Sequence, residues 1–595
     1  MNHQDRQRLQ RLLPYLQRDR RRLTLTLLLL IPVALAAAVQ PLLVGQAISV
    51  LRREPTASWL SGLPDAQALQ LLIGLLLVAV LLRLGLQGIQ SYNVQAVGQR
   101  LTARIRDDLF GHAMALSLRF HDRTPVGKLL TRLTSDVDAL AEVFGSGAVG
   151  VLGDLVTLMV IAATMITIEW RLGLLLLISQ VPVTAGILWL QRRYRKANYR
   201  VREELSQLNA DLQENLQGLE VVQMFRREQR NSERFARSTD AYRGAVTGTI
   251  LYDSAISAFI EWVALAAVAA VLGLGGAMVT GGAMGLGTLT TFILYSQRLF
   301  DPLRQLAERF TQIQGGLTAV ERIGELLEEP IEIQDIRFPP PVPTRAAAAT
   351  AAEVIFENVS FSYRPDEPIL REISFRIAPG EHVALVGPTG CGKTTVIRLL
   401  CRLYEPQRGR ILLDGDDIST LPQATLRQRL GVVLQDTFLF SGTVADNLRL
   451  DAPISSDQLQ QTCQELGLNP LLQRLPDGLA SQLRERGANL SSGERQLLAV
   501  ARVALRDPAV LVMDEATAFM DPSTEATLQR DLGVLLQGRT AVVIAHRLAT
   551  VEAADRILVL QKGRLVEQGN HRELRAAGGL YARLAALQEQ GLATL

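Results

Sequence analysis

Long apolar runs with almost no charge are the feature that most constrains how this chain folds. A helix needs about 20 mostly apolar residues to cross the hydrocarbon core of a membrane. Five runs in the N-terminal half approach or exceed that length with at most one charged residue each: Leu23–Leu51, Ala66–Ile89, Val143–Ile168, Leu172–Leu190 and Ala255–Gln297. The last run is long enough for two spans, and a glycine-rich break from Gly273 to Gly287 divides it. The sequence therefore predicts about six transmembrane helices.

The segments between these runs alternate between long and short. Residues 91–142 and 191–253 are long, charged and helix-patterned, whereas 52–65, 169–171 and 279–286 are short. Lys and Arg concentrate in the N-terminus and in both long segments, and positive charge favours the cytosolic side of a membrane. We therefore expect a multi-pass protein of the bacterial plasma membrane whose N-terminus and long extensions are cytosolic.

Composition marks the domain boundaries. Residues 1–22 carry arginines among leucines at helical spacing, which predicts an amphipathic elbow helix on the membrane surface, with a solvated basic tail as the alternative. The six-helix membrane domain then occupies 23–329, and a Pro- and Ala-rich linker occupies 330–352. Residues 353–595 alternate short apolar strands with helices, which is typical of a cytosolic α/β domain.

Charge and cysteine content exclude other classes of protein. The net charge is only +3, whereas a nucleic-acid-binding protein usually carries a clustered basic excess, so no nucleic-acid partner is expected. The three cysteines, Cys391, Cys401 and Cys463, show no pairing or metal-ligand spacing. We expect them to be reduced cytosolic thiols.

A phosphate-binding motif opens the C-terminal half. The segment GPTGCGKT at Gly387–Thr394 follows the strand-like HVALV and precedes the helix-like TVIRLL, which is the context that a P-loop requires. The glycines let backbone N–H groups converge on phosphates, and Lys393 brings positive charge toward the β and γ phosphates. The Thr394 hydroxyl can bind Mg²⁺. The motif predicts ATP and Mg²⁺ as ligands.

A second motif supplies carboxylates. The segment AVLVMDE at Ala509–Glu515 has the pattern of a buried strand that ends in two acids, at the sheet edge where a nucleotide binds. Asp514 can hold the Mg²⁺ shell. Glu515 is then placed to orient or deprotonate the attacking water, since phosphoryl transfer depends mainly on positioning and charge stabilisation.

The order of these motifs is specific. ATP-binding-cassette proteins carry their motifs in the order seen here: Lys393, Gln435, LSSGE at Leu490–Glu494, Asp514 with Glu515, and His546. Nearly the whole chain resembles a half-transporter of the exporter type. The resemblance implies an α-helical membrane domain of six transmembrane helices with long cytosolic extensions, fused to an α/β P-loop nucleotide-binding domain. It also implies a second half-transporter, because this family sandwiches two nucleotides between two cassettes.

The resemblance assigns roles to individual residues. Glu515, His546 and Gln435 match the family's catalytic residues, with His546 contacting the γ-phosphate and Gln435 also sensing the membrane domain. The Mg²⁺ ligands are expected to be Thr394, Gln435 and Asp514.

The expected nucleotide contacts follow in the same way. Tyr363 matches the aromatic that stacks on adenine, and the signature LSSGE opens a helix whose positive end faces the partner's γ-phosphate. The complete set of expected contacts is Tyr363, Gly387, Pro388, Thr389, Gly390, Cys391, Gly392, Lys393, Thr394, Thr395, Ser491, Ser492 and Gly493.

Two segments depart from the family's usual pattern. In the signature, usually LSGGQ, Ser492 replaces a glycine and Glu494 replaces the glutamine, and AFMD at Ala518–Asp521 replaces the usual SALD. A carboxylate near phosphate is disfavoured in a partly desolvated site. We therefore expect a heterodimer with unequal sites, in which Glu515 hydrolyses ATP and LSSGE supports the weaker site; a homodimer is the alternative.

Coupling and substrate contacts are harder to infer. Within the two cytosolic extensions, Asp122–Gly127 and Glu214–Gly218 resemble the family's docking segments. Three charges inside the spans, Arg83, Asp154 and Glu261, are expected at about 20 to 26 Å from the outer ends. One hypothesis has them line an inward-facing cavity, with Arg83 neutralising one acid and the other favouring cations. An internal salt bridge or a snorkelling Arg83 is the alternative.

The sequence thus predicts an ATP-hydrolysing exporter subunit that acts on a hydrophobic or amphipathic drug, lipid or peptide. An importer of the same fold and an ATP-dependent channel or regulatory membrane protein are the alternatives. A soluble cassette ATPase is excluded by the apolar spans.

Overall fold

The computed structural model describes residues 14–15, 17–335, 351–434, 437–514, 522–545 and 547–590, with the backbone alone at 144–146, 301, 303–304, 306–308, 310–311, 314 and 522–528. Several predicted features lie outside the described residues: most of the expected elbow helix and linker, Gln435, Glu515, His546 and the AFMD segment. Contacts divide the chain into two units, Met1–Met114 with Val126–Glu329 and Ala115–Pro125 with Pro330–Leu595.

Helices dominate the first unit, and among the described helices up to residue 328 only Leu118–Arg123 lies in the second unit. In chain order they are α1 Arg20–Arg52, α2 Asp65–Ala115, α3 Leu118–Arg123, α4 Val126–Thr131, α5 Val137–Glu142, α6 Val149–Ile168, α7 Trp170–Gln217, α8 Leu219–Met224, α9 Glu228–Thr280 and α10 Leu286–Glu328. Two π-helical turns, Arg132–Asp136 and Val143–Ala148, flank α5.

Five described helices are long and apolar enough to cross a membrane: α1, α2, α6, α7 and α9. The sixth predicted run forms the beginning of α10. The predicted glycine-rich break is shorter than expected, because α9 continues through Gly273 and ends at Thr280, so that only five residues separate it from α10. A core of apolar side chains from α6, α7, α9 and α10 surrounds the buried Phe292 and Tyr295.

The charged extensions continue the spans as single helices. The helices α2, α7 and α9 have 51, 48 and 53 residues, and each is therefore about 70 to 80 Å long. The buried carboxylate of Asp211 joins α7 to α9: it accepts hydrogen bonds from the Ser238 hydroxyl at 2.5 Å and from Arg234 at 3.1 Å. The Ser238 hydrogen bond and the Arg234 charge hold the pKa of Asp211 below its usual value.

Strands of the second unit form a mainly parallel sheet of six strands, an antiparallel sheet of four and a short antiparallel pair. The strands are β1 Val354–Arg364, β2 Glu367–Ile377, β3 His382–Val386, β4 Arg408–Leu413, β5 Asp416–Asp417, β6 Leu430–Val433, β7 Gly442–Thr443, β8 Gln482–Leu483, β9 Val510–Asp514, β10 Thr540–Ile544, β11 Arg556–Gln561 and β12 Arg564–Gly569. The six-stranded sheet has the order β12-β11-β3-β10-β9-β6, in which only β12 is antiparallel to its neighbour. The four-stranded sheet has the order β2-β1-β4-β5.

The remaining described helices of this unit follow in chain order. They are α11 Lys393–Leu400, α12 Gln423–Arg429, α13 Val444–Arg449, α14 Ser456–Glu465, α15 Asn469–Arg474, α16 Ser492–Ala504, α17 Pro522–Leu536, α18 Leu548–Glu552, α19 His571–Ala576 and α20 Leu580–Glu589. Strands β3, β9 and β10 are almost entirely buried, as expected for a parallel sheet with both faces covered. The carboxyl ends of these strands meet at one edge, where ligands of such sheets bind.

Candidate functional site

The P-loop lies at that edge, between the end of β3 and the start of α11. Two of its glycines are required by close approach of other groups. A Cβ atom at Gly387 would lie 2.2 Å from the carbonyl oxygen of Leu560, and one at Gly392, where φ is 109°, would lie 2.5 Å from Leu370. Larger residues at these two positions would displace the loop.

The amino end of α11 is open. Gly392 occupies the N-cap position and has no side chain that could accept hydrogen bonds from the first helical N–H groups. Such an end attracts anions, because the N–H groups and the helix dipole both favour negative charge. Thr394 is exposed beside it, whereas Thr395 is buried.

Lys393 begins this helix with its side chain buried at 8% exposure. Its ammonium group donates a hydrogen bond to the carbonyl oxygen of Gly387 within the same loop. Burial lowers the pKa of Lys393, and the nearby charge of Asp514 opposes that shift. Asp514 ends β9 in register with Ile544 of β10, whose neighbour on the other side is Leu385 of β3. The structure thus places Asp514 close enough to Lys393 for their charges to interact.

Tyr363, the expected adenine-stacking residue, ends an aromatic cluster next to the P-loop. Its hydroxyl shares a hydrogen bond with the Thr395 hydroxyl at 3.2 Å and accepts one from Arg398 at 3.4 Å. Edge-on contacts with Phe361 and Tyr404, with ring centroids 5.0 and 5.2 Å apart, support the ring. Tyr363 is therefore tied directly to the helix that begins at the P-loop.

The segment Ala115–Pro125, which contains α3, contacts the same cluster. The Asp122 carboxylate accepts a hydrogen bond from the Tyr404 hydroxyl and lies 3.7 Å from the Arg398 guanidinium. Arg123 donates to the carbonyl oxygen of Tyr363 at 3.0 Å. Burial and the Asp122 hydrogen bond both raise the pKa of Tyr404, so its hydroxyl stays protonated and remains a donor.

These contacts form a continuous chain from α3 to the P-loop helix, through Asp122, Arg398, Tyr363 and Thr395. Sequence reasoning proposed the segment that includes Asp122 but missed Arg398 and Tyr404. Both lie beyond the motif residues, and only the fold brings them next to a segment nearly three hundred positions earlier.

The signature segment corrects one sequence argument. Glu494 was expected to place its charge near the partner's phosphate. Instead, its carboxylate accepts a hydrogen bond from the Ser491 N–H at 2.8 Å and forms an ion pair with Arg474. The Ser491 hydroxyl accepts in return from the Glu494 N–H at 3.3 Å, which completes a capping box at the start of α16. The charge is neutralised locally, and Ser492 is the exposed departure that remains.

The second extension reverses direction at the short helix α8, which lies between α7 and α9. Four apolar side chains there are largely exposed: Leu219, Val221, Met224 and Phe225. The predicted docking segment Glu214–Gly218 immediately precedes them. A contiguous exposed apolar surface of this kind is typical of a protein interface.

The charged residues within the spans have partners other than those that the cavity hypothesis expected. Asp154 forms a salt bridge with Arg309 at 2.8 Å, and Arg83 donates to the Gln40 amide oxygen at 3.2 Å. Glu261 is exposed on α9. Arg83 therefore neutralises neither acid among the contacts of the described residues, and that part of the hypothesis is wrong. The physical reason is that α10 supplies Arg309 next to Asp154, where Gly150 leaves room for the guanidinium.

A membrane unit of long apolar helices joined to a P-loop cassette with a signature helix defines an ATP-driven membrane transporter. Comparison with known proteins identifies the family. A family profile described as "ABC transporter transmembrane region" matches residues 23–303, and one described as "ABC transporter" matches residues 370–518. The chain belongs to the ATP-binding-cassette transporters, and within them to the half-transporters with an exporter fold.

Named relatives are similar over most of the chain. The "Probable multidrug resistance ABC transporter ATP-binding/permease protein YheH" of Bacillus subtilis is 36% identical over 88% of this chain and 78% of the relative. A "Fatty acid ABC transporter ATP-binding/permease protein" of Mycobacterium bovis is 35% identical over 81% of this chain and 76% of the relative.

A solved structure shares the fold. The structure described as "Structure of a bacterial Atm1-family ABC exporter with ATP bound" has a TM-score of 0.75 and 29% identity, and the alignment covers 96% of this chain and 98% of the other. The chain is an integral membrane protein that hydrolyses ATP to drive export, and its half-transporter fold implies a dimer. The predicted fold class and the preference for export over import are confirmed.

Proposed function

We propose that this chain moves a hydrophobic or amphipathic molecule out of the cytosol or the inner leaflet, as one half of a heterodimer in a bacterial plasma membrane. Its N-terminus and cassette face the cytosol, and its domains follow the predicted division at 23–329, 330–352 and 353–595. Relatives named for multidrug resistance and fatty acids support a drug-like or lipid substrate, with a peptide as the remaining option.

One observation carries the proposed ATP chemistry: the buried Lys393 ammonium lies near Asp514 at the open end of α11. Lys393 and the loop N–H groups bind phosphate oxygens, and Tyr363 stacks on adenine. The exposed Thr394 hydroxyl and the Asp514 carboxylate are oxygen donors of the kind that Mg²⁺ prefers. When bound, Mg²⁺ supplies charge neutralisation between the phosphates.

The remaining roles fall on residues outside the described part of the chain. In this proposal Gln435 completes the Mg²⁺ ligands, Glu515 orients and deprotonates the attacking water, and His546 holds the γ-phosphate oxygen. Each step positions a group or moves one proton, which is what phosphoryl transfer requires of a protein.

The proposed heterodimer rests on the signature. Ser492 adds an exposed side chain at the first position of α16, where the family usually has a glycine next to the partner's nucleotide. Because Arg474 and the capping box hold the Glu494 charge, Ser492 and the AFMD segment carry the asymmetry. The strong site therefore combines this chain's P-loop and Glu515 with a standard signature from the partner.

Inside-out membrane vesicles that contain the assembled transporter test the direction and the energy source. We expect MgATP-dependent uptake of a fluorescent amphiphile into the vesicles, and no uptake when Lys393→Met removes the P-loop charge. ATP-dependent loss of preloaded amphiphile would indicate an importer. Ion conductance without net transport would indicate a channel, and either result would contradict the proposal.

A further inference from the structure

The residues that follow the last long helix are fixed to the cassette. Helix α10 ends at Glu328, and Pro330 follows two positions later. A proline restricts its own backbone and that of the residue before it, and Glu329 accordingly has an extended conformation, with φ −60° and ψ 126°. We call the next five residues, 331–335, the junction segment. A short and stiff connection therefore joins α10 to the junction segment.

One end of the junction segment caps a helix of the cassette. Helix α12 begins at Gln423, and the residue before it, Pro422, has no side-chain oxygen that could accept from the first helical N–H groups. Instead, the Asp335 carboxylate accepts a hydrogen bond from the Gln423 N–H at 2.8 Å. The Gln423 side chain donates to the carbonyl oxygen of Ile333 at 3.4 Å. The junction segment thus supplies the cap that α12 lacks.

Helix α12 leads directly to the nucleotide site. Strand β6 starts at Leu430, the residue immediately after α12, and Leu426 and Leu430 are buried in the same hydrophobic core. Strand β6 runs parallel to β9, with Val433 in register with Met513, the residue before Asp514. Closely packed interiors transmit small displacements. A shift at the start of α12 therefore reaches the strand pair that positions Asp514.

A buried arginine connects the junction segment to the P-loop helix as well. Arg402 lies two residues beyond the end of α11 and is 3% exposed. Its guanidinium donates to the carbonyl oxygen of Leu421 at 2.8 Å and to that of Gln334 at 3.4 Å. Its φ is 48°, in the left-handed region where helices usually end in glycine. Glycine could not make these contacts, which join the end of α11, the approach to α12 and the junction segment.

The first cytosolic extension contacts the same part of the chain. Arg119 of α3 lies 3.5 Å from the Glu332 carboxylate, within the second unit. Within the first unit, the Nε2 atom of His112 in α2 lies 3.0 Å from the carbonyl oxygen of Glu329. Only two residues separate α2 from α3. The segments that leave α2 and α10 are therefore joined twice, once within each unit.

We propose that the junction segment couples the position of α10 to the nucleotide site, with Asp335 as the positioning residue for α12 and β6 and Arg402 as the one for α11. An exporter driven by ATP has to transmit nucleotide binding to its membrane helices, and such coupling acts in both directions. This connection differs from the one through Asp122, because it begins at α10 and reaches Asp514 through strand pairing. It rests on the nucleotide site proposed above at Lys393 and Asp514.

Hydrogen–deuterium exchange of the assembled transporter in nanodiscs tests the coupling. It is measured with and without the Mg²⁺ complex of AMP-PNP, an ATP analogue that is not hydrolysed. In the unmodified chain, we expect the nucleotide to slow exchange in α11 and, by about threefold or more, in residues 318–329 of α10. Asp335→Ala removes the acceptor of the Gln423 N–H. The nucleotide effect on residues 318–329 should then fall below about 1.5-fold, while the effect on α11 remains.

A second variant breaks the same contact from the other side. Gln423→Pro removes the N–H donor, and proline suits the first position of a helix, so α12 can still form. It should reduce the nucleotide effect on α10 as Asp335→Ala does. Asp335→Asn keeps a side-chain oxygen in place and should retain most of the effect, because the Gln423 N–H needs an acceptor and not a charge.

A matched control separates coupling from the loss of a helix cap. Asn570→Ala removes the acceptor of the Glu573 N–H at the start of α19, which like α12 is a short helix of the cassette. This variant should leave the nucleotide effect on α10 unchanged. If the junction segment only anchored the cassette, Asp335→Ala would raise exchange in α12 equally with and without nucleotide, and the effect on α10 would persist.

The outcomes distinguish this inference from the proposed nucleotide site. The coupling is overturned if the nucleotide slows exchange in α11 but not in residues 318–329, or if the effect on α10 survives both Asp335→Ala and Gln423→Pro. An equal loss of that effect in Asn570→Ala would overturn it too. Each of these results leaves the nucleotide site intact. No nucleotide effect on α11 in the unmodified chain would contradict the site itself.

Discussion

Two helices of the cassette begin where nucleotides are expected, and their amino ends are built differently. The P-loop helix α11 starts at Gly392, which has no side chain to cap it. The signature helix α16 starts at Ser491, where a capping box with Glu494 satisfies its first donors and Arg474 neutralises the carboxylate. One end is open to phosphate, and the other is partly satisfied by its own side chains.

The difference extends to the surroundings of each helix. Through Thr395, Tyr363 and Arg398, α11 is connected to Asp122 of the cytosolic extension. The described contacts of Glu494 are instead local to the signature and α15. An open end connected to the extension suits a site that binds ATP strongly and signals its presence, whereas a self-capped end suits a weaker contribution to the partner's site.

The largest expected effect tests the open end itself. Lys393→Met should lower ATP hydrolysis by the assembled transporter by about 100-fold or more, because the buried charge proposed to bind phosphate is lost. Phosphate release at saturating MgATP measures it. The matched control Lys562→Met removes an exposed lysine from a turn between β11 and β12 and should leave the rate within a factor of about two. Equal losses in both variants would contradict the comparison.

The second-largest expected effect concerns the connection between α11 and the cytosolic extension that contains Asp122. Asp122→Asn removes the negative charge next to Arg398 and weakens the hydrogen bond from Tyr404, so Tyr363 is held less firmly. Apparent ATP affinity should fall by about fivefold, which corresponds to about 1 kcal/mol. Titration with a fluorescent ATP analogue measures the affinity. Asp138→Asn, which alters an exposed pair with Arg106 at 3.0 Å, serves as the control. If both variants bind ATP equally well, α11 has no functional link to the extension.

A substitution in the signature should have a smaller effect on ATP turnover. Ser492→Gly removes the extra side chain and should raise ATP turnover at the site that this signature completes, by about threefold, or roughly 0.7 kcal/mol. Turnover of the transporter assembled with its partner in nanodiscs measures this. Ser456 also occupies the first position of an exposed helix end, that of α14, and Ser456→Gly is the matched control. An unchanged or lower rate in Ser492→Gly would mean that the serine does not weaken the signature.

The smallest effect concerns Glu494. Because its charge is neutralised locally, Glu494→Gln should change turnover by less than about twofold, within the range of a surface substitution. Glu494→Ala should instead lower stability by about 1 kcal/mol, since it removes half of the capping box. Thermal unfolding and turnover separate the two effects. A several-fold rise in turnover for Glu494→Gln would show that the carboxylate reaches the phosphate after all.

The sequence predicted the parts that depend on local pattern. Apolar runs were sufficient for the spans, and the glycine spacing around Lys393 was sufficient for the P-loop, because each depends on neighbouring residues. Local pattern could not predict three contacts between side chains: Asp122 with Tyr404, Asp154 with Arg309 and Glu494 with Arg474. Each pairs residues from different helices or loops that only the tertiary fold brings together.

The signature shows how such a partner changes an interpretation. From the sequence, Glu494 was an uncompensated charge near phosphate. With Arg474 beside it, the same residue stabilises a helix end, and the proposed asymmetry rests on Ser492 and the AFMD segment.

The most direct test of the central claim, that this chain is one half of an unequal pair, is the ATP turnover and assembly state of the purified full-length chain alone. Its turnover should be compared with that of a variant restored to the family's signature by Ser492→Gly with Glu494→Gln. The account predicts that the unmodified chain forms little stable dimer, or turns over ATP several-fold more slowly than the restored variant. A stable homodimer as active as the restored variant would contradict it.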